Sequence, residues 1–430
     1  MVSIPTPVRH QAGQADMAFD PSTTLEALAG FELHGLTRSE DDATLYLALC
    51  QGNHFALAAL ADDGSSVQTF GDQGRLIDSF DNSIGEGAKP GRRVARLGDR
   101  VLVGGMIEHA PGQYSPALAC YTAEGRRDSR FNGTGQVCLA QALAANHCAM
   151  GPITFQTNLA LCSSDSPAST AKQDFTQVNF DMVVANDEIY VIATGRVGDQ
   201  ARLSGLVFCL TSAGQLDERF GDRGVVALSS PSYSVLLRSV AAGKEGIYVA
   251  GGASGGHNPA LVARVSYCGQ HDTTFGDQGL GGYGITAQSF RINDIVLDAS
   301  GCLYGVGVGS QTRAIAVRFD AAGRQVKTFA GQGAYVPGLP YSALTYAQVD
   351  GENRLVFIGE YLDERNGYLQ AACGRLNSDG TADLGFGPQG LVKLDAFDLI
   401  GSNLLVQANQ QLLAVGYTRR KTPFAVRLHA

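Results

Sequence analysis

Short apolar runs, separated by glycine-rich turns, recur along the whole chain. The clearest group reads GVVALSS, VLLRSVAAG, IYVAGG and ALVARVSY, with turns at 244–246 and 254–259. Runs equivalent to IYVAGG recur as VLVGGM, IYVIATG, LYGVGVG, LVFIGEY and LLAVGYT. Runs of this length, rich in Val, Ile and Tyr and bounded by glycine, are typical of β-strands. The pattern therefore predicts an all-β protein in which groups of four strands repeat.

Each group of strands is joined to a short phrase that contains a phenylalanine. A glycine stands six residues before each of these seven marker phenylalanines, an aspartate three before five of them, and a second glycine four after six of them. The marker phenylalanines are Phe19, Phe70, Phe131, Phe220, Phe275, Phe329 and Phe386. Their spacings are 51, 61, 89, 55, 54 and 57 residues. A period of about 50–60 residues is typical of the blades of a β-propeller.

The repeat predicts one domain over 1–430, a seven-bladed β-propeller of four-stranded blades whose units end near the marker phenylalanines. We label the strands of a blade A to D from the axis outward, with D following the phrase. This count leaves the last blade, whose C strand is 424–428, without a D strand. We expect residues 23–28 to supply that outer strand, because this closes the ring and removes an open sheet edge. We also expect the marker phenylalanines to be buried between blades.

The phrase G-x-x-D-x-x-F-G-x-x-G, best preserved as GQLDERFGDRG and GQHDTTFGDQG, resembles the repeat of the delta-60 family. That resemblance implies propeller blades of a bacterial protein and covers nearly the whole chain, but it implies no common activity. The departures from the phrase are Val67 and Val326 in place of Asp, Asn132 and Ala330 in place of the glycine after Phe, and Thr23 in place of the last glycine.

Composition and charge narrow the possible partners. The net charge is −9, and no Lys/Arg cluster is longer than 419–421, so a basic face for nucleic acid or for an anionic membrane is not expected. No apolar run approaches the roughly 20 residues that span a bilayer. The first residues lack the apolar segment of a signal peptide, and the nine cysteines form no pairing pattern. We expect a monomeric cytoplasmic protein with reduced thiols, while export by a signal-independent route stays open.

Two sets of residues raise the question of a metal. Three thiols and an imidazole near the longest interval could bind zinc, but their spacing contains no C-x-x-C pair: Cys138, His147, Cys148 and Cys162. The GDQG and GDRG turns at Asp72, Asp222 and Asp277 each offer a single carboxylate, whereas a calcium loop offers several oxygen ligands. We therefore expect no metal and no other cofactor.

The 89-residue interval contains an insertion at 140–177, which includes the stretch SSDSPASTAKQ. The D-to-A and B-to-C loops of a propeller emerge on one face, and we place the insertion there. Function concentrates in loops on a rigid scaffold, although a neutral surface insertion fits the sequence equally well. The B-to-C loops carry polar side chains that are either solvated or form the rim of a binding site: His109, Tyr114, Arg196, Arg202, His257, Arg313, Arg365, Arg419 and Arg420.

No linear motif identifies a catalytic residue, so binding rather than catalysis is expected. We predict a non-enzymatic binding or scaffold propeller that recognises a protein or polymer through the face carrying the insertion. The alternative is a hydrolase or lyase with its site at the channel mouth. Inward carboxylates or histidines from three or more blades, with shifted pKa values, would favour that enzyme. A carbohydrate-binding lectin is disfavoured by the absence of Trp. A repeated arginine of strand C is interpreted as a strut between blades: Arg264, Arg318, Arg375 and Arg427.

Overall fold

The computed structural model describes residues 12–81, 83–84, 89–146, 149–155, 179–254, 259–276, 283–310, 313–394 and 398–429. Within these ranges the chain is almost entirely strand and turn, so the predicted all-β class is confirmed. The strands form antiparallel meanders in which each strand pairs with the next one along the chain.

Seven meanders follow one another in chain order. Meander 1 contains β1 (Glu32–Arg38), β2 (Thr44–Gln51), β3 (His54–Ala61) and β4 (Arg75–Ser79). Meander 2 contains β5 (Lys89–Leu97), β6 (Arg100–Ala110), β7 (Gln113–Tyr121) and β8 (Gln136–Cys138), and is followed by β9 (Ile153–Phe155). Meander 3 contains β10 (Asp181–Ala185), β11 (Glu188–Val197), β12 (Ser204–Thr211) and β13 (Val225–Leu228). Meander 4 contains β14 (Ser234–Gly243), β15 (Gly246–Ser254), β16 (Pro259–Val265) and the first half of β17 (Tyr283–Leu297). Meander 5 contains the second half of β17, β18 (Leu303–Gly309) and β19 (Ala314–Phe319). Meander 6 contains β20 (Ala343–Val349), β21 (Leu355–Asp363), β22 (Tyr368–Leu376) and β23 (Leu391–Lys393). Meander 7 contains β24 (Leu399–Val406), β25 (Leu412–Thr418) and β26 (Pro423–Leu428).

The first strand of each meander contacts the first strand of the next meander. β17 belongs to two meanders. It pairs with β16 of meander 4 up to Ser289, and with β18 of meander 5 from Phe290 onward. The order of contacts is β1, β5, β10, β14, β17, β20 and β24, and β24 also contacts β1. These inner strands are therefore arranged around a common central axis.

The phrases join neighbouring meanders through a repeated backbone hydrogen bond. The residue after a marker phenylalanine donates its N–H to the carbonyl oxygen just before the glycine of the next phrase. The pairs are Asp20 to Asp63, Gly71 to Glu124, Asn132 to Ala213, Gly221 to Cys268, Gly276 to Ala322 and Ala330 to Asp379, with N···O distances of 2.7–3.1 Å. All seven marker phenylalanines are buried, at most 7% exposed.

The first glycine of the phrase is required by both its backbone conformation and its contacts. Gly214 has a φ of +78°, and a Cβ there would lie 2.7 Å from the ring of Phe131 in the preceding phrase. Gly323 has a φ of +83° and lies against the ring of Phe275 in the same way. Because only glycine adopts this conformation without strain and leaves room for the ring, the phrase fixes the distance between neighbouring meanders.

The N-terminal phrase binds the C-terminal strand, in what we call the closing junction. The N–H of Asp16 donates to the carbonyl oxygen of Arg427 at 2.7 Å, and Ala15 forms a β-bridge with Leu428. The Arg427 guanidinium contacts the Asp16 carboxylate at 2.8 Å and lies 5.0 Å from the centre of the Phe19 ring. This junction unites residues that are more than 400 positions apart in the sequence.

The same arginine, aspartate and phenylalanine arrangement occurs inside other repeats. Arg375 contacts Asp383 at 2.8 Å and lies 4.8 Å from the Phe386 ring centre. Arg264 lies over Phe275 at 5.1 Å and binds Asp272. Arg264 and Arg375 thus link strand C to the phrase of their own repeat. Arg318 and Arg427 also donate to carbonyl oxygens of the next meander, those of Ser378 and Asp62, as a strut between blades would. Only the closing junction joins two ends of the chain in this way.

The prediction of an outer strand at 23–28 is wrong, because this segment contains the helix α1 (Ser22–Glu26). The N–H of Ser22 donates to the Asp20 carboxylate at 3.0 Å, and Pro21 directly before the helix suits its first turn. Leu25 and Leu28 are spaced like one face of a helix, and both are buried in the core between meanders 1 and 7. In the described residues, meander 7 has three strands plus the bridge at Ala15, and meander 5 has three plus the bridge between Ala316 and Tyr335.

The described part of the insertion packs between meanders 2 and 3. It contains the helix α2 (Leu139–Asn146), which contacts β7, and β9, which pairs with residues 195–197 of β11. Phe155 is 6% exposed and its ring lies 5.9 Å from that of Phe208. Asn146 also exchanges hydrogen bonds with Arg223 of the phrase in meander 3. No helix in the described parts of the chain is both long and apolar enough to cross a bilayer.

Replacing Phe220 by alanine should lower the free energy of unfolding by about 3–5 kcal/mol, the range for large aromatic cavities. Phe220 is 1% exposed and its ring packs 5.7 Å from that of Tyr190. Urea titration measures the loss. Leu384→Ala is the control, because Leu384 lies in a phrase but is 75% exposed, and it should change stability by less than about 0.5 kcal/mol. A loss below about 1 kcal/mol for Phe220→Ala would show that the phrase is only a turn.

Candidate functional site

One position of the inner strands carries polar side chains from most of the meanders. Each residue pairs with an apolar or small residue in the middle of the neighbouring second strand, and in six inner strands a register shift directly precedes it. We call these residues the cross-layer: Gly35, Arg93, Asp181, Ser239, Asp294, Tyr346 and Asn403. A β-bulge aims side chains away from the regular alternation, which explains why polar residues reach the axis here.

Hydrogen bonds and ion pairs connect the cross-layer between meanders. The Arg93 guanidinium donates to Asp181 at 2.6 Å, and the Ser239 hydroxyl donates to Asp294 at 2.7 Å. The second oxygen of Asp294 accepts the N–H of Ala347 at 2.9 Å. These three contacts join meander 2 to meander 3, and meanders 4, 5 and 6 to one another. Asp181 also accepts the N–H of Val240 at 3.0 Å, which joins meander 3 to meander 4.

Arg93 reaches across the axis from meander 2 to meander 6. It lies on meander 2, yet its guanidinium lies 5.5 Å from the ring centre of Tyr346 on meander 6. Burial lowers the pKa of Arg93, but the charges of Asp181 and Asp294 outweigh this and raise it. Burial raises the pKa of Asp294 to about 7, against the opposing charge of Arg93. The cross-layer thus forms a polar floor across the axis.

A second cluster lies where the inner strands begin, at the end from which the D-to-A and B-to-C loops emerge. We call Glu32, His34, Arg92, Tyr417 and Lys421 the rim cluster. His34 Nε2 lies 3.2 Å from Glu32 Oε2, and Lys421 Nζ lies 3.2 Å from Glu32 Oε1. Arg92 Nη1 lies 3.3 Å from His34 Nδ1, and the His34 and Tyr417 rings meet edge to face at 5.1 Å. Meanders 1, 2 and 7 contribute these side chains.

The contacts of His34 determine where its proton lies. A guanidinium only donates hydrogen bonds, so Arg92 requires His34 Nδ1 to be the acceptor. The ring proton is then on Nε2, from which it donates to Glu32. This arrangement leaves His34 uncharged between a carboxylate and a guanidinium.

The ligand atoms of Glu32, His34 and Cys50 lie within 4.8 Å of one another, which is close enough to hold a metal ion. Two positive charges already occupy this place, because Lys421 contacts Glu32 and Arg92 contacts His34. A divalent cation would have to displace both contacts and approach both charges. The electrostatics of the cluster therefore favour an anion over a cation.

Burial raises the pKa values of Tyr417 in the rim cluster and of Glu360 beside it. Glu360, at the end of β21, is 5% exposed and makes no hydrogen bond with the described residues. Burial raises the pKa of Glu360 to about 7, and Arg419 opposes this. Burial, followed by the charge of Glu32, raises the pKa of Tyr417, so its hydroxyl keeps its proton and can donate a hydrogen bond at neutral pH.

The predicted binding residues are mostly exposed and separate. His109 is half-buried and Tyr114 packs partly against the core of meanders 2 and 3. Exposed arginines make up the rest, namely Arg196, Arg202, Arg313, Arg365, Arg419 and Arg420. Among the described residues no hydrogen bond, ion pair or ring contact joins any two of these eight candidates. His257 lies outside the described residues.

Only Arg419 and Arg420 adjoin the rim cluster. They share a loop with Lys421, and Arg419 Nε contacts Asp398 at 3.2 Å. Arg365 is held instead by Asp363 of its own loop at 3.1 Å, and Arg202 donates to the carbonyl oxygen of Pro231 at 3.0 Å. The loops thus contribute one edge of the site, and its centre comes from the inner strands.

Of the residues considered for metals, the structure describes Cys138, Asp72 and Asp222. Cys138 is buried and lines a cavity of about 250 Å³ with Asn132 and Gln136. His147, Cys148 and Cys162 lie outside the described residues, as does Asp277. Asp222 accepts the N–H of Met150 at 3.0 Å, so it holds the insertion.

Sequence reasoning missed the whole rim cluster except its loop edge. Glu32, His34 and Arg92 lie in inner strands, where one polar residue carries no signal in the sequence. Aligning the inner strands of the repeats would have revealed the cross-layer instead. It would have shown Arg93, Asp181 and Asp294 at one position where alternation predicts apolar residues.

Comparisons with known proteins give only remote similarities. No protein-family model matches the chain, and no curated protein matches it. Among solved structures, puromycin hydrolase matches with 12% identity and a TM-score of 0.48, over 97% of this chain and 55% of that one. The Dos1 propeller matches with 10% identity and a TM-score of 0.44, over 92% and 77%. The propeller domain of the Trilobed protease from Pyrococcus furiosus matches with 6% identity and a TM-score of 0.42, over 93% and 94%. Similarities this remote assign no function.

The raised pKa of Glu360 predicts a pH dependence of stability. The folded protein keeps a proton that the unfolded chain loses between about 4.5 and 7, so the free energy of unfolding should fall as pH rises through this range. A shift of this size corresponds to about 3 kcal/mol at most. Glu360→Gln should remove that part of the dependence, measured by urea titration from acidic to neutral pH.

Glu364→Gln is the matched control for this experiment. Glu364 is exposed in the loop after β21, so its replacement should leave the pH dependence of the wild type intact. If Glu360→Gln and the wild type keep the same slope between pH 5 and 7, which are about the limits of the expected change, Glu360 is ionised in the folded protein and the burial argument is wrong.

Proposed function

We propose that the chain is a closed seven-bladed β-propeller, with each meander as a blade and the closing junction as the seal. Support comes from the cyclic order of contacts among the inner strands and from the contact of β24 with β1. Six phrase-to-phrase hydrogen bonds further support it. At the seventh place Gly13 lies directly against the backbone of Phe386. We also propose, from the repeated phrase, that the chain belongs to the delta-60 repeat family.

The protein acts in this proposal as a binding module that recognises a protein or polymer through the face with the D-to-A and B-to-C loops. The observation that carries it is the rim cluster at that end of the axis, where Glu32, His34, Arg92, Tyr417 and Lys421 converge from three meanders. Buried polar groups with the exposed Arg419 and Arg420 beside them match the composition of binding surfaces.

The insertion is part of the binding face in this proposal. β9 pairs with the end of β11 next to the loop at 198–203, which belongs to that face. Phe155 and Met150 pack in the core between meanders 2 and 3, so removing the entire insertion would also remove core contacts. Replacing only 157–177 by a Gly/Ser linker of equal length tests its role without touching α2 or β9.

A thermal-shift screen with neutral, acidic and basic small molecules tests the proposed site. A ligand that binds the folded state raises the melting temperature in proportion to its occupancy. We expect that some compounds raise the melting temperature of the wild type but not that of the Tyr417→Phe and Glu32→Gln variants. Arg324→Gln is the control, because Arg324 is an exposed residue of a phrase. If every stabilising compound acts equally on the rim variants and the wild type, the rim cluster is not the binding site.

One observation favours the alternative of a hydrolase or lyase at the same end. Glu32 and His34 of meander 1 and Glu360 of meander 6 lie at this end. Glu360 combines burial, a pKa raised to about 7 and no hydrogen bond to the described residues. Such a group can serve as a general acid or base at neutral pH. Turnover of a compound that binds the rim cluster, abolished in Glu360→Gln, would favour catalysis over binding alone.

A further inference from the structure

Arg92 is the most strongly desolvated cation at the rim cluster. Burial, followed by repulsion from the neighbouring Arg93, lowers the pKa of Arg92. Arg93 is neutralised by Asp181 at 2.6 Å, whereas no carboxylate of the described residues forms an ion pair with Arg92. Two adjacent arginines of one strand thus differ sharply, since one is paired within the floor and the other is not.

The guanidinium of Arg92 has far more donors than acceptors around it. An arginine carries five N–H donors, and the described residues supply one acceptor, His34 Nδ1 at 3.3 Å. The ring proton of His34 is on Nε2, where it is donated to Glu32. Nδ1 therefore stays an acceptor for Arg92. The remaining donors of Arg92 are available to a planar acceptor.

Among the described residues, the ion pairs around Arg92 do not include Arg92 itself. Lys421 and Glu32 neutralise each other at 3.2 Å, His34 is uncharged, and Tyr417 keeps its proton. A carboxylate carries a single negative charge and matches the guanidinium fork with two parallel hydrogen bonds. A phosphate dianion would carry more charge than this site compensates, and it would also face Glu32.

We propose that the rim cluster binds a carboxylate group of the ligand, with Arg92 as the anchor and the Tyr417 hydroxyl as a second donor. This inference rests on the proposed function, because it names the chemical group that the binding face recognises. His34 and Glu32 are positioning residues: Glu32 fixes the His34 ring, and His34 holds the Arg92 guanidinium. Arg93 and Tyr346 form the floor below, so the carboxylate enters from the loop face.

Matched pairs of compounds test the group that is recognised. The acids are acetate, benzoate and galacturonate, and their neutral counterparts are acetamide, benzamide and galactose. Polygalacturonate beside neutral galactan distinguishes a carboxylate displayed on a polymer from a free small acid, and sulfate and phosphate test other oxyanions. Binding is followed by thermal shift and calorimetry at neutral pH. We expect at least one acid to bind while its neutral counterpart does not.

Variants of Arg92 identify the anchor. Arg92→Gln should weaken binding of that acid at least about tenfold, as expected for the loss of a charged hydrogen-bonded pair. Arg92→Lys keeps the charge without the fork and should fall between Arg92→Gln and the wild type. It also keeps the experiment decisive if Arg92→Gln fails to fold. Arg324→Gln should bind like the wild type.

Each result bears on one of the two proposals. If only neutral or basic compounds bind, and rim variants abolish that binding, the site stands and the carboxylate inference is wrong. If sulfate or phosphate binds better than every acid, the recognised group is another oxyanion. If acids bind without regard to Arg92, or if no acid binds to the wild type, the inference fails. If nothing in either screen depends on rim residues, the proposed function fails as well.

Discussion

The fold depends on one repeated hydrogen bond, from the residue after a marker phenylalanine to the carbonyl oxygen before the glycine of the next phrase. It occurs six times with nearly constant length. The marker phenylalanine fills the space under that bond, and the glycine leaves room for the ring. Because a tight turn, a buried ring and an intermeander hydrogen bond coincide in six of the phrases, the same contact joins six pairs of neighbouring meanders.

The closing junction brings the two ends of the chain together, and the rim cluster lies where meander 7 contacts meander 1. Glu32 and His34 come from the first strand, and Tyr417 and Lys421 come from the last meander. Asn403 of β24 donates to the carbonyl oxygen of His34 at 3.2 Å. The site therefore exists only when meander 7 meets meander 1, so the geometry of the ring and the chemistry of the proposed site depend on the same contacts.

The structure within each repeat could be predicted from the sequence. The contacts between repeats that are distant in the chain could not. The strands and the phrase were predictable because their requirements are local: alternating or continuous apolar residues, a glycine with positive φ, and a phenylalanine at a fixed spacing. The segment at 23–28 was misassigned because its register in the repeat outweighed the local signals, Pro21 and the spacing of Leu25 and Leu28, which favour α1.

The rim cluster could not be predicted from one repeat, because its residues differ between repeats and come from both ends of the chain. Arg419 and Arg420 were found through their exposed loop, but Arg92 lies in β5 directly before Arg93, and nothing in the linear sequence separates the roles of these two arginines. Only the floor contact of Arg93 with Asp181, and the contact of Arg92 with His34, distinguish the two.

Amide hydrogen exchange in Arg427→Ala tests most directly whether the closing junction holds the ring together. Arg427 binds Asp16 of the N-terminal phrase and the carbonyl oxygen of Asp62, which follows β3 in meander 1. Exchange should accelerate both in β26 and in residues 54–70. Arg264→Ala, which removes the same arrangement inside meander 4, should leave residues 54–70 as protected as in the wild type. Faster exchange confined to β26 in Arg427→Ala, with residues 54–70 unchanged, would contradict the account.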